Sequence, residues 1–116
     1  MRHGPPCPVK ATIRDVTASR ALDAEYQNLT GRPMLIKVTV SCTTVAAGEG
    51  AWIDGQYGPI FGSPFIAGRS GIMSGPIRQQ YSFLAYAVPH GEYYKVVSQK
   101  SGGASVNLTA WIETEL

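Results

Sequence analysis

The chain has 116 residues, of which 44% are hydrophobic and 16% charged, and its formal net charge is +2. This length accommodates one domain with one core, because domains cluster near ~100 to 150 residues. The basic residues form no run and the apolar stretches are short and interrupted, which argues against a nucleic-acid partner and against membrane insertion.

The chain starts with a proline-rich arm, residues 1–10. Pro5, Pro6 and Pro8 favour an extended, polyproline-like chain with few hydrogen bonds of its own. Such an arm is either disordered or laid across a neighbouring chain, so we predict these three prolines to be interface residues. The arm has no apolar core of the signal-peptide type, which points to synthesis in the cytoplasm. We predict that residues 11–116 form a single β-sandwich domain.

The clearest strand covers residues 34–42, where apolar and polar side chains alternate with the period of a half-buried strand. Its apolar face consists of Ile36, Val38, Val40 and Cys42. The C-terminal residues 105–116 repeat the pattern. Their apolar face is predicted to consist of Val106, Leu108, Ala110 and Ile112. Trp111 falls on the opposite side, toward a partner layer or the surface.

Two further strands, both containing aromatic residues, are predicted at 78–88 and 92–99. The intervening Pro89-His90-Gly91 has the composition of a tight turn, because proline presets φ and glycine accepts a positive φ. We therefore expect these two strands to pair as a hairpin.

Shorter elements complete the fold. We predict strands at 11–17, 25–29 and 51–57, and one helical turn within 19–25, capped by Ser19 or Asp23. Glycine (13 residues) and proline (8 residues) occur throughout and argue against long helices. Seven or eight short strands separated by such turns predict an all-β fold, which is a small antiparallel β-sandwich, a jelly roll or a small barrel.

The segment from Gly58 to Pro76 departs from this pattern, because glycines alternate there with apolar residues. It is either a long loop, which is uncommon in a compact domain and then usually functional, or one or two edge strands with bulges. As a loop it would form an adhesive apolar surface. The interface residues that we predict in and beside it are Tyr57, Ile60, Phe61, Phe65, Ile66 and Met73.

The sequence offers few convergent groups for catalysis or metal binding. His3 and His90 are the only histidines, and no Cys/His cluster is present. We therefore expect no metal site, no cofactor and no enzymatic activity, with His90 exposed in its turn. An enzyme would need a cleft with perturbed carboxylates among Asp54, Glu49 and Glu92.

The aromatic residues raise a different function, recognition of a host-surface glycan, because an aromatic face suits the apolar face of a sugar ring. Such a module would use Trp52, Tyr57, Phe61 and Phe65 on exposed loops. Trp52 and His90 are accordingly our candidate ligand-facing residues. In the competing interpretation most aromatic residues belong to the core or to subunit contacts.

Three motifs resemble a small β domain of tailed-phage virion proteins, often found at the C-terminal end of tail fibre proteins. The first is Tyr26-Gln27-Asn28-Leu29-Thr30-Gly31-Arg32-Pro33 followed by MLIKVTV. The second is Val88-Pro89-His90-Gly91-Glu92-Tyr93-Tyr94-Lys95-Val96, and the third is Leu108-Thr109-Ala110-Trp111-Ile112-Glu113. The resemblance covers roughly residues 20 to 116. It departs from the family pattern at His90, where a second proline is usual, and in the segment from Gly58 to Pro76.

The resemblance implies a scaffold and no chemistry. It leads us to expect a non-enzymatic structural protein of the virion, made in the host cytoplasm and placed at the tail or fibre tip or on the capsid. The low charge content and small size favour a homo-oligomer, with a trimer as the first expectation. Its other expected partners are further virion proteins and, in the alternative, a host-surface glycan.

Overall fold

The computed structural model describes residues 12–62, 65–72 and 76–116, which fold into two antiparallel sheets. The strands are β1 (Ile13–Asp15), β2 (Tyr26–Gln27), β3 (Met34–Thr44), β4 (Ala51–Gly58), β5 (Phe65–Ile72), β6 (Arg78–Val88), β7 (Tyr93–Lys100) and β8 (Ser105–Glu115). The front sheet has the order β1-β8-β3-β6, and the back sheet has the order β2-β7-β4-β5. This is the strand order of a jelly roll, so the predicted all-β sandwich is confirmed.

The core lies between the two sheets and follows from the alternation in the strand sequences. In β3, the predicted apolar face is completely buried, with Ile36, Val38, Val40 and Cys42 each 0% exposed. The remaining core side chains come from the inner faces of the other long strands. They include Ile53, Ile72, Leu84, Tyr86, Val88, Tyr94, Val96 and Trp111.

A bulge in β8 overturns half of the predicted C-terminal face. Opposite β3, Thr39 pairs with Ala110 but Val40 pairs with Leu108, so Thr109 is an extra residue. Its hydroxyl donates to the Thr39 carbonyl at 2.8 Å. Because one extra residue exchanges the two faces of a strand, Ala110 and the predicted inward Ile112 point outward beyond the bulge. Trp111, which we placed toward a partner layer or the surface, is instead 0% exposed in the core.

The predicted hairpin between β6 and β7 is wrong. The turn itself forms, with Gly91 at φ 85° and the Glu92 amide donating to the Pro89 carbonyl. However, β6 pairs with β3 in the front sheet, whereas β7 pairs with β4 and β2 in the back sheet. The turn therefore carries the chain across the sandwich. Turn composition predicts a reversal of direction, but it does not decide which strand becomes the hydrogen-bonded neighbour.

The segment after Gly58 contains an edge strand with a bulge, which was one of our two alternatives. Among the described residues, strand β5 pairs with β4 alone, and the register shifts where Gly55 pairs with Gly68 and Gln56 with Ile66. Gly55 faces the core so closely that a Cβ atom there would lie 2.6 Å from Cε1 of Tyr86. The small residue therefore lets the front and back sheets approach each other at this point.

The predicted helical turn within 19–25 is displaced. A short 3-10 helix covers Thr17–Ser19, and its first residue is held by the Asp15 carboxylate, which accepts from the Thr17 amide at 3.0 Å. Asp23, expected as a cap, instead accepts from the amide and hydroxyl of Ser98 on β7. Over the described ranges, no helix is long and apolar enough to cross a membrane.

Candidate functional site

Four of the predicted interface residues are exposed at the end of the sandwich where β4 leads into β5. Their exposed fractions are 65% for Ile60, 66% for Phe61, 67% for Phe65 and 60% for Ile66. The Phe61 ring packs edge-on against Tyr93, with centroids 5.5 Å apart. Their contact with a partner remains a prediction. Pro5, Pro6, Pro8 and Met73 lie outside the described residues.

Tyr57 does not belong to this exposed group. It projects from the inner side of β4, with Ala51, Ile53 and Gly55, and its ring lies 6.4 Å from that of Tyr86. The alternation of β4 turns this odd-numbered position inward. Tyr57 is thus a half-buried packing residue, and its predicted contact with a partner stays a prediction.

The candidate ligand-facing Trp52 lies on the outer side of the back sheet, and a cation covers it. The Arg69 guanidinium is 5.6 Å from the centre of the indole ring and also binds both carboxylate oxygens of Asp54. Trp52 and Tyr57 therefore project from opposite faces of one strand. The predicted set of Trp52, Tyr57, Phe61 and Phe65 on exposed loops does not form one sugar-stacking platform, because two of its members lie on β4.

His90 is exposed, as we expected, and helps to join two of the motifs that resemble the phage domain. Its Nδ1 accepts from the Gly31 amide at 3.1 Å. Beneath it, the buried Asn28 side chain donates to the carbonyls of Val88 and Pro89 at 3.0 and 3.3 Å. The loop between β2 and β3 is thus fastened to the turn between β6 and β7, and neither turn depends on local sequence alone.

The front sheet has an apolar outer face that the sequence analysis did not identify as a site. On β6, Ser82, Leu84, Tyr86 and Val88 point inward, so the intervening Tyr81 and Phe83 point outward and are 71% and 57% exposed. The sequence of β6 is consistent with this, because apolar residues occur on both faces of the strand. We call this surface the front face; it comprises Leu35, Lys37, Thr39, Tyr81, Phe83, Ala85, Ala87, Ala110 and Ile112.

A second feature is a pocket at one end of the sandwich, between the two sheets. Its volume is about 390 Å³, and it opens to solvent. The residues around it come from β1, β2, β3, β7, β8 and the two connections that flank β2. They are Arg14, Arg20, Gln27, Asn28, Leu29, Thr30, Met34, Tyr94, Glu113 and Glu115. We call it the end pocket.

Glu113 forms the inner end of this pocket and is 1% exposed. Its Oε2 accepts from the Tyr94 hydroxyl at 2.6 Å and from the Trp111 indole nitrogen at 3.1 Å. Arg20 donates to both oxygens, at 2.9 and 3.1 Å, and its guanidinium lies 4.5 Å above the Tyr26 ring. Burial raises the pKa of Tyr94, and its hydrogen bond to the carboxylate raises it further. The bulge in β8 makes this network, because it turns residue 113 inward.

Two of the three carboxylates proposed for an enzyme, Asp54 and Glu49, are held by other partners. Asp54 is held by Arg69. Glu49 accepts from the amides of Val45, Ala46 and Gly103, which lowers the pKa of its carboxyl and ties two turns together. Within residues 12–62, 65–72 and 76–116, no three His, Cys, Asp or Glu side chains are grouped to hold a metal ion.

Comparison with known proteins adds one structural neighbour. No family model and no curated protein matches the sequence. A solved structure of Eiger TNF from S. frugiperda superposes with a TM-score of 0.55 at 11% identity, over 95% of this chain and 87% of that chain. At this identity the likeness shows the fold alone, and it agrees with the jelly-roll strand order.

Proposed function

We propose that this protein is a non-enzymatic structural component of a tailed-phage particle, located in the virion at the tail or fibre tip or on the capsid surface. It acts as a homo-oligomer, with a trimer favoured, and docks on other virion proteins. The proposed self-assembly rests on one observation, the exposed aromatic pair Tyr81 and Phe83 on the front face. The particle assignment is supported by the resemblance of its three motifs to the phage domain.

The front face has the composition of a contact surface. Protein interfaces are enriched in aromatic residues and poor in charge at their centre, and large exposed apolar patches are uncommon on monomers. Tyr81 and Phe83 stand two residues apart on β6, beside Ala85, and Lys37 is the charged member of the surface. Covering this face with a second copy removes the aromatic rings from water, which is the main favourable term in association.

The position of the aromatic pair favours a closed ring. Tyr81 and Phe83 lie on β6, at one margin of the front sheet, while Ile112 lies on β8 and Ile13, 69% exposed, lies on β1 at the other. A contact between these two different margins is heterologous, and a heterologous contact closes into a ring when its rotation permits. A trimer is the ring that we favour.

The remaining exposed apolar residues suit contacts with other virion proteins. Ile60, Phe61 and Phe65 stand at the end of the sandwich, away from the outer side of the front sheet. A particle component bound there leaves the front face available for self-association. The N-terminal arm of residues 1–10 is the second proposed docking element.

The test is the solution mass of the full chain by light scattering, for the parent and two variants. The Tyr81→Ser/Phe83→Ser double variant is expected to be monomeric with an unchanged circular-dichroism spectrum, whereas the parent forms a closed oligomer. Phe61→Ser/Phe65→Ser is the matched control, since it removes two rings of similar exposure elsewhere, and it is expected to keep the oligomer. A monomeric parent that binds no particle component overturns the proposal. Removing residues 1–8 measures the contribution of the arm to assembly.

A further inference from the structure

The end pocket carries four charged side chains whose charges balance. Arg14 pairs with Glu115 at 2.9 Å, and Arg20 pairs with Glu113 at 2.9 Å. An anion or a cation entering the pocket therefore meets one attractive and one repulsive partner in each pair. A hydroxyl group can both donate and accept, so it can bond to the carboxylate and to the guanidinium of the same pair. The pocket chemistry favours a neutral ligand with many hydroxyl groups.

The two ion pairs have different roles. The carboxylate of Glu113 already accepts four hydrogen bonds, and Arg20 is held between it and the Tyr26 ring, so this pair is rigid. Arg14 and Glu115 share a single hydrogen bond, and 42% and 17% of their side chains are exposed. A guanidinium has five N–H donors, so this outer pair can still bind a ligand. Because the Glu113–Arg20 pair beneath Arg14 and Glu115 is already ordered, less side-chain conformational entropy is lost when a ligand binds.

The mouth of the pocket adds an amide and an apolar contact. Gln27 is exposed and uses its side-chain nitrogen on the Gly91 carbonyl, which orients its oxygen as a fixed acceptor. Leu29, at the rim, is 73% exposed. A sugar ring presents hydroxyl groups at its edge and C–H groups on its face, and these groups match a polar wall beside an aliphatic side chain. The volume of about 390 Å³ lies in the range of small-molecule sites, roughly 300 to 1,000 Å³.

We infer that the end pocket is a binding site for a neutral saccharide, held by Arg14, Glu115 and Gln27 over the Glu113–Arg20 floor. This site is distinct from the aromatic residues that the sequence suggested for glycan binding. The open mouth allows the bound sugar to be the terminal residue of a longer chain. The inference does not depend on the assembly proposed above, because none of these side chains belongs to the front face.

The test is a titration of the ¹⁵N-labelled full chain, followed by amide chemical shifts. The probes are glucose, galactose, mannose, rhamnose and N-acetylglucosamine, with acetate and inorganic phosphate as charged comparisons. At least one sugar is expected to cause saturable shifts at Gln27, Leu29 and Glu115, while the two anions do not. Arg14→Ala is expected to weaken that binding by about tenfold, as for removal of a hydrogen bond to a charged group.

Gln27→Ala serves as a second variant, because its side chain is exposed and its loss is compatible with folding. Gln99→Ala, an exposed glutamine on β7 outside the pocket lining, is the matched control and should leave the affinity unchanged. The inference is overturned if no sugar gives saturable shifts, if an anion binds instead, or if Arg14→Ala and Gln27→Ala bind like the parent. A monomeric protein that binds sugar in this pocket would remove the assembly proposal and leave this inference standing.

Discussion

Glu113 is the acceptor on which the inner end of the pocket depends. The change Glu113→Leu introduces an apolar side chain of similar size and leaves the Tyr94 hydroxyl and the Trp111 indole N–H without an acceptor. These side chains are 1% and 0% exposed, so water does not replace the lost bonds. Each unsatisfied buried donor costs about 1 to 3 kcal/mol. Arg20 is partly exposed and regains some hydration, so we expect a total loss of about 4 kcal/mol, within the range of about 3 to 5 kcal/mol for breaking a buried ion pair.

The assay is urea unfolding at a fixed chain concentration, because an oligomer makes the apparent stability concentration-dependent. Tyr94→Phe removes one of several donors to the same carboxylate and should cost about 1 kcal/mol. Glu115→Gln breaks the exposed ion pair with Arg14 and should cost less than about 1 kcal/mol. We therefore expect Glu115→Gln to be the most stable of the three variants, Tyr94→Phe to be intermediate and Glu113→Leu to be the least stable. A Glu113→Leu protein as stable as Glu115→Gln would refute the reasoning that Tyr94 and Trp111 are shielded from water and depend on the Glu113 carboxylate as their acceptor.

Three further outcomes are expected. Gly55→Ala should lower the free energy of unfolding by about 1 to 3 kcal/mol, seen as a lower melting temperature, because its Cβ would collide with Tyr86. Backbone amides hold the pKa of Glu49 below its usual 4.5, so its contribution to stability is present above that pH and is lost as the pH falls through the folded value. Glu49→Gln should therefore flatten the acid side of the stability profile. Burial raises the pKa of Tyr94 and Tyr86 above 10.0, so their contribution to stability is complete below pH 10 and declines as the pH rises further. Phenolate absorbance should show two tyrosines that ionise only when the protein unfolds.

Each of these expectations has an outcome that contradicts it. A Gly55→Ala protein that melts with the parent would mean that the sheets separate at this point without cost. Equal acid profiles for the parent and Glu49→Gln would show that the amide contacts of that carboxylate do not persist in solution. A fully reversible phenolate titration of all six tyrosines in the folded protein would contradict the burial of Tyr94 and Tyr86.

The fold class was predictable because strand periodicity is a local property. The alternation in β3 places every second residue of 36–42 in the core, and both ends of β6 coincide with the predicted range. The face exchange in β8 was not predictable, because the bulge at Thr109 results from pairing with β3 across the sheet. The crossing of the 89–91 turn between sheets depends in the same way on partners that are distant in the chain, such as Asn28.

The candidate sites were only partly predictable for the same reason. Exposure of the apolar residues around Phe61 and Phe65 follows from a glycine-rich segment at a sheet edge. The inward position of Tyr57 follows from the alternation of β4, so the strand pattern alone was enough to predict it. The end pocket joins side chains from opposite ends of the sequence, such as Arg14 and Glu115, and no local pattern brings them together.

The burial of Asn28 restricts how the protein can be produced. Asn28-Leu29-Thr30 has the pattern of an N-glycosylation acceptor, and the amide nitrogen that would carry the sugar is 3.0 Å from the Val88 carbonyl beneath the 89–91 turn. A secretory eukaryotic host can modify this nitrogen on the nascent chain, before the turn closes over it, and a chain modified there cannot complete the fold. Asn107, in the second such triplet, is exposed and would tolerate the sugar. Expression in a bacterial cytoplasm leaves Asn28 unmodified and therefore able to fasten the two loops.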